Sequence, residues 1–306
     1  MPSIFSYAIY FTPAVIVLAM IEGLVLSFWR KEDYNWRAAF ASTADALGRE
    51  YIVYRFIPYG LALPFAVWAW QHRIMTVPLN GFAAFALLFL GQEFCYYWFH
   101  RASHRVRWFW ATHAIHHSSN RLNLTAAYRF GWTGRLSGAS IFYVPLMWLG
   151  FPPAAVFGML SLNLLYQFWI HSEWIPKLGW LEYVFNTPSH HRVHHAANLD
   201  YLDANYGGVL IFFDRLFGTL IVERDDLPCR YGLVKPLTSN NPFVINFHAW
   251  RALARDVWQA RSWRDRVRYI FGPPGWAPDG QGMTTEDLRR LAAAEAEALP
   301  LAVAAE

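Results

Sequence analysis

The chain has 306 residues, of which 55% are apolar, 18% aromatic and only 16% charged, against the roughly 25% charged residues usual in soluble domains. Mean hydropathy is positive, at +0.16, which argues against a purely soluble protein. The net charge of +4 is not gathered into a basic run, so a nucleic-acid partner is not indicated, and arginines beside apolar spans fit the positive-inside rule instead.

Tyr7 to Trp29 is an almost unbroken apolar run carrying one carboxylate, Glu22. About 20 residues at 1.5 Å rise cover a bilayer core of roughly 30 Å, so the run predicts a transmembrane helix. It lacks a basic leading region and is too long for a signal peptide. Glu22 is expected to line a cavity, to lie near an interface or to bond to a neighbouring helix. Phe56 to Trp70, broken by Pro58 and Pro64, predicts a second, kinked span once Tyr51 to Tyr54 is added. A third span, Phe82 to Phe99, runs directly into His100. Ile141–Leu149 and Ala154–Ile170 then form two apolar arms folded at Gly150-Phe151-Pro152-Pro153, a hairpin that either crosses or re-enters. Both its ends leave on one side.

Residues 101 to 135 hold six arginines (Arg101, Arg105, Arg107, Arg121, Arg129, Arg135) and no acid. That bias puts residues 30–55, 101–135 and 172 onward in the cytoplasm. Trp174, Trp180, Tyr183 and Phe185 suit a helix floating at the interface. Tyr206–Phe217 is too short to span. An alanine-rich helix capped by Thr284 closes the sequence. The expected organisation is N-terminal membrane helices over 1–79, a histidine-box membrane domain over 80–280 and a peripheral helix over 281–306. The fold class is an all-α transmembrane bundle capped by a cytoplasmic helical region.

Ten of the twelve histidines fall between residues 100 and 195. His100 and His104 stand four apart. His113, His116 and His117 form an H-x-x-H-H unit, and His191, His194 and His195 form another beside His190. Residues three and four apart share a helix face, so each unit is expected to converge on one point. Imidazole is the commonest neutral metal ligand near pH 7. Nine or ten of them fit two ions of four to five nitrogens each, and zinc, copper, iron and nickel all suit such ligands. The two cysteines, Cys95 and Cys229, cannot hold an iron–sulfur cluster, which needs about four thiolates. His72 and His248 lie outside the clusters and read as surface or interface residues. Glu93, seven residues before His100 on the same helical face, is expected to accept the second N–H of a ligating histidine, or else to pair with an arginine.

The sequence resembles the fatty acid hydroxylase/sterol desaturase superfamily, with its alkylglycerol monooxygenase branch the closest. The resemblance rests on Tyr96-Tyr97-Trp98-Phe99-His100-Arg101, His116-His117-Ser118-Ser119, Gln167-Phe168-Trp169-Ile170-His171 and Asn186-Thr187-Pro188-Ser189-His190-His191-Arg192-Val193-His194-His195. Asp203-Ala204-Asn205-Tyr206-Gly207 and Asp214-Arg215-Leu216-Phe217-Gly218-Thr219 continue it. It implies a non-haem diiron site, O2 activation and hydroxylation or desaturation of a membrane-lipid C–H. The implied ligands are His100, His104, His113, His116, His117, His171, His191, His194 and His195. The superfamily's fatty acid hydroxylases have a further histidine where this chain has Gln167. Either a water held by Gln167 or the His190 ring is expected to fill that place. Asp203 and Asn205 are expected to orient ligands with Glu93. No cluster cysteines and no nucleotide-binding glycine motif are present, so electrons are expected from an external donor, tetrahydrobiopterin if the branch resemblance holds. The expected location is a bacterial inner membrane. Rival readings are a sterol, hopanoid or acyl-chain hydroxylase or desaturase, and a metal-binding membrane protein without catalysis.

Overall fold

The computed structural model describes residues 4–57 and 60–303, and among them it is helical with only two isolated bridges, Phe185–Leu210 and Ala196–Tyr231. Helix α1 (Ile4–Leu24) runs on through a π-helical turn at Val25–Trp29. Asn35 caps α2 (Trp36–Leu47), accepting from Ala38 N at 3.1 Å, and α2 continues as a π-helix at Gly48–Val53. A short α3 (Leu63–Gln71) precedes the long α4 (Phe82–Arg105). One extended residue, Val106, joins α4 to α5 (Arg107–His117). Then come α6 (Val144–Leu149), α7 (Pro153–Ile170) and α8 (Pro188–His195). The C-terminal third adds α9 (Pro242–Gln259), α10 (Trp263–Phe271) and α11 (Thr285–Val303).

Three helical stretches are long and apolar enough to cross a membrane: Thr12–Trp29, Phe82–Arg105 and Pro153–Ile170. Their outward faces carry exposed Val17, Leu18, Leu87, Leu90 and Leu162, as a lipid-facing surface requires. Between α4, α6 and α7 lies a core of Leu88, Cys95, Tyr96, Tyr143, Met147 and Val156.

The predicted second span is not one helix. One helical piece ends at Phe56 and, among the described residues, the next begins at Leu63; Pro58 and Tyr59 lie outside the described residues. Nine residues of α3 reach about 13 Å, well short of a ~30 Å core. The first hairpin arm is equally short, a 3-10 stretch at Ala139–Tyr143 followed by six-residue α6. These two short pieces pack on each other: Ile74 N donates to Trp148 O at 2.8 Å and Val77 N to Gly150 O at 3.0 Å. Gly150 turns the chain there at φ +117°, and a Cβ would collide with the Met75 carbonyl. A run of apolar residues thus encodes burial in the bilayer without encoding a crossing.

Glu22 binds loops rather than a helix. Its carboxylate accepts from Leu124 N at 2.8 Å and Trp174 Nε1 at 3.1 Å, joining α1 to the segments that follow His117 and His171. The expected interfacial helix is only a 3-10 stretch, Gly179–Tyr183, with Trp180 and Tyr183 exposed. The C-terminal helix is less peripheral than its sequence suggests. Thr284 and Asp287 cap it reciprocally, and its first turn is tied down where Arg105 meets Glu286 at 2.5 Å and Arg289 donates to Leu202 O at 2.9 Å.

Candidate metal centre

Helix α4 ends in His100 and His104, α5 carries His113, His116 and His117, α7 is followed by His171, and α8 carries His191, His194 and His195. The structure gathers these nine rings into two groups. One holds His100, His104, His113, His117 and His194; the other holds His116, His171, His191 and His195. Within each group the offered ligand atoms lie within 4.8 Å of one another. The groups adjoin, with the His117 and His195 rings stacked at 4.3 Å.

Neither H-x-x-H-H unit converges on one point. Each divides two to one, because residues four apart differ by about 40° around a helix whereas neighbours differ by about 100°. His113 and His117 therefore share one group while His116 turns to the other, and His191 and His195 share the second while His194 turns to the first.

The ring nitrogens face inward. Nε2 atoms approach at 3.1 Å for His100–His113 and 3.2 Å for His117–His113. In the second group the separations are 3.2 Å for His171–His116, 2.9 Å for His191–His171 and 3.0 Å for His195–His191. Backbone carbonyls fix several tautomers. His100 Nδ1 donates to Tyr206 O at 3.0 Å, His194 Nδ1 to Ala204 O at 2.9 Å and His171 Nδ1 to Gln167 O at 2.7 Å, which leaves each Nε2 a bare lone pair. His104 Nε2 and His194 Nε2 are buried with no hydrogen-bond partner. An N–H···N hydrogen bond satisfies only one such lone pair, whereas a cation satisfies a whole group. At a metal–nitrogen distance of about 2.1 Å, adjacent ligands at right angles stand about 3.0 Å apart. The observed spacing fits.

Burial keeps seven of these rings neutral. It holds His171 down at about 4, and it pushes His113, His116, His117, His191, His194 and His195 well below the usual imidazole value, with neighbouring imidazoles adding to the effect.

Of the expected supporting residues, Asp203 faces the cluster: Oδ1 lies 3.8 Å from His104 Nδ1 while Oδ2 accepts from Arg105 at 2.8 Å. Burial raises its carboxyl, but the His104 ring, Thr285 and Arg105 outweigh that and hold it at about 2. Glu93 touches neither a histidine nor an arginine. Two turns along α4 from His100, or about 10 Å, its carboxylate instead accepts from Asn163 Nδ2, Val209 N and Leu210 N. Gln167 supports His171 by its backbone carbonyl, while its side chain is spent on Asn163 and the Tyr96 hydroxyl. His190 joins neither group: it is buried, its Nδ1 is 3.5 Å from Thr187 Oγ1, and its carbonyl accepts from Asn205 Nδ2 at 3.0 Å. Asn205 meets no imidazole, but it and Asp203 adopt φ of +56° and +57° on either side of Ala204. This left-handed kink presents the Ala204 and Tyr206 carbonyls to His194 and His100.

Two supporting residues escaped the sequence reading. Arg192 grips Glu223 with two bonds of 2.8 and 2.7 Å and donates to Ser172 O and Ile175 O at 3.1 and 2.7 Å. Its signal was an arginine inside H-H-R-V-H-H. Asp214 accepts from Tyr206 N, Gly207 N and Thr219 Oγ1, each at 2.7 Å, and burial raises it to about 6.

A cavity of about 710 Å3 reaches the five-histidine group at His104, His117 and His194. Helices α5 and α9, the loop around Val234 and the first turn of α11 form its walls. His248, expected to be a surface or interface residue, lines it as well.

The sequence model of the Fatty acid hydroxylase family matches residues 85–219, which contain both histidine groups. Over these residues the chain is similar to the fatty acid hydroxylase family. It is 38% identical over 268 residues to the alkylglycerol monooxygenase of Homo sapiens, covering 87% of this chain and 59% of that protein. It is 33% identical over 236 residues to the alkylglycerol monooxygenase of Caenorhabditis elegans, covering 74% and 46%. It is 32% identical over 127 residues to an ornithine lipid hydroxylase of Rhizobium tropici, covering 42% and 38%. The chain thus spans about half the length of the curated relatives it matches. No solved structure matches it significantly.

Proposed function

We propose that this chain is a membrane-bound diiron monooxygenase of the fatty acid hydroxylase family that hydroxylates a lipid C–H bond, with an alkylglycerol ether as its substrate. The observation that carries this reading is the pair of inward-facing imidazole groups, five and four rings, gathered where two membrane-length helices end beside His104 and His171. Two iron ions, when bound there, supply the reduction of O2 that puts one oxygen atom into the C–H bond and releases the other as water. The two electrons come from an external reductant, a tetrahydrobiopterin. Oxidation beside the ether oxygen yields a hemiacetal that separates into an aldehyde and an alcohol. The arginine-rich segment 101–135 supports a cytoplasmic site, in an inner membrane if the source is bacterial.

The chain's own part is to hold, orient and dry the centre. His100, His194 and His171 keep their Nδ1 protons on backbone carbonyls and so aim Nε2 inward. Asp203 sets a carboxylate oxygen 3.8 Å from His104 Nδ1. The neutral rings leave metal charge uncancelled by direct carboxylates, unlike soluble carboxylate-bridged sites.

Protein purified anaerobically in mild detergent is expected to hold about two irons per chain and to consume O2 when given an alkylglycerol and a reduced pterin, releasing an aldehyde. One metal or none, or no oxygen uptake with any lipid after iron loading, sinks the reading. The similarity to a lipid hydroxylase favours one alternative, hydroxylation of an intact polar lipid, whose product keeps the chain attached.

A further inference from the structure

We propose that the cavity between α5, α9 and the start of α11 houses the long alkyl chain of the lipid, and that Ala111, Ala114, Ala249 and Ala252 set the longest chain it accepts. The proposal rests on the monooxygenase reading and adds where the chain lies. The cavity is continuous with the five-histidine group and, at about 710 Å3, falls within the 300–1,000 Å3 usual for small-molecule sites. Its walls between the histidines and the exposed Lys235 are largely apolar. Such walls suit a hydrocarbon and offer a polar, ring-shaped reductant few of the paired groups it needs.

The bore comes from small residues at matching intervals. Ala111 and Ala114 stand three apart on α5, and Ala249 and Ala252 three apart on α9, all lining the same space. Larger side chains on either helix would fill it. The opposite face of α5 is occupied: Phe109 packs against Phe142 at 5.7 Å, beside the short membrane arm. The cavity therefore lies on the side of α5 turned away from that arm. A lipid chain reaches the histidines by leaving the bilayer and entering this cap-side space, not by sliding between the spanning helices.

The test is the chain-length profile of the iron-loaded protein in detergent, using octyl and hexadecyl glycerol ethers. Ala252→Phe is expected to lower kcat/KM for the hexadecyl ether by about tenfold or more while the octyl ether stays within about twofold. Ala111→Leu is the second variant, for the case in which the phenylalanine does not fold, and is expected to shorten the accepted chain by less. Melting temperature and iron content are read alongside. An equal fall for both ethers in a folded, iron-replete variant overturns the proposal. A raised KM for the reductant with unchanged KM for the lipid also overturns it, and assigns the cavity to the reductant. If the unmodified protein oxidises no ether, the monooxygenase reading fails separately. Equilibrium binding of radiolabelled hexadecylglycerol then decides the cavity: binding lost in Ala252→Phe supports the proposal, and binding retained overturns it.

Discussion

Arg192→Met removes the cation that ties α8 to the chain following His171. Its guanidinium is 8% exposed and grips a Glu223 carboxylate that is 16% exposed, through the two bonds of a fork-to-fork pair. Two further bonds reach the Ser172 and Ile175 carbonyls. Breaking such a pair from one side leaves Glu223 charged, largely shielded from water and unpaired, and the cost approaches the ~3–5 kcal/mol of a fully buried pair. At roughly 2–4 °C per kcal/mol for larger domains, the melting temperature falls by about 6–20 °C. Arg192→Lys fares little better, since an ammonium cannot span the carboxylate and both carbonyls at once. The double variant Arg192→Met/Glu223→Gln removes the stranded charge and is expected to recover part of the loss. Differential scanning in detergent, with metal analysis, measures all three. A shift below about 2 °C for Arg192→Met, or no recovery in the double variant, refutes the claim that this pair holds the second histidine group in place.

Glu93→Gln puts an NH2 group against the Asn163 or backbone donors and is expected to cost about 1–3 kcal/mol with metal content unchanged; loss of metal would mean that Glu93 reaches the histidines after all. Asn205→Ala is expected to cost about 2–4 kcal/mol through lost bonds and left-handed backbone, and Asn205→Gly less; equal melting temperatures would remove the backbone argument. The imidazoles of His113, His116, His117, His171, His191, His194 and His195 have folded-state pKa values below the unfolded 6.5, so the unfolded chain takes up more protons and stability is lost as pH falls. For metal-stripped protein the loss begins near pH 6.5 and, for His171, runs down to about 4, at up to roughly 1.4 kcal/mol per pH unit for each histidine. A melting temperature flat between pH 7 and 5 contradicts this. His117→Ala and His191→Ala are each expected to lower bound metal by about one equivalent, from different groups, and Mössbauer spectra of the two variants should differ.

The long spans and the histidines were legible because their signals are local. A run of apolar residues at bilayer length needs no partner to be read, and neither does a spacing of three and four. Phe56–Trp70 misled because apolar composition does not record where a helix breaks, and at the break the Ile57 carbonyl accepts from Arg135, far along the chain. Glu93 misled for a related reason. A shared helical face says nothing about reach, and two turns carried it to the 209–210 backbone instead of a ring. Arg192, Asp214 and the kink at Asp203 and Asn205 act through partners from 5 to 106 residues away, at separations that no periodic spacing reveals. The orienting groups the sequence reading sought among carboxylates are for the most part backbone carbonyls, which every residue has and none advertises.

The division of each H-x-x-H-H unit has a mechanical consequence. Helices α5 and α8 both place rings in both groups, so neither group can shift without moving the other. In carboxylate-bridged bundles a side chain reaches across between the metal positions, and its rotamers leave that separation adjustable. Here the separation is written into two helix backbones. Helix α8 is itself immobilised, with all eight of its residues buried, Arg192 clamped to Glu223, and the His194 ring seated on the kinked loop that Asp214 holds. Rotation of α8 by a few degrees would move His191 and His195 away from one centre as it moved His194 away from the other. The positions of both centres are therefore set together by α5 and α8, although each fills through its own ligands. The supporting residues that stabilise α8 govern the pair, although none of them touches a position where a metal would sit.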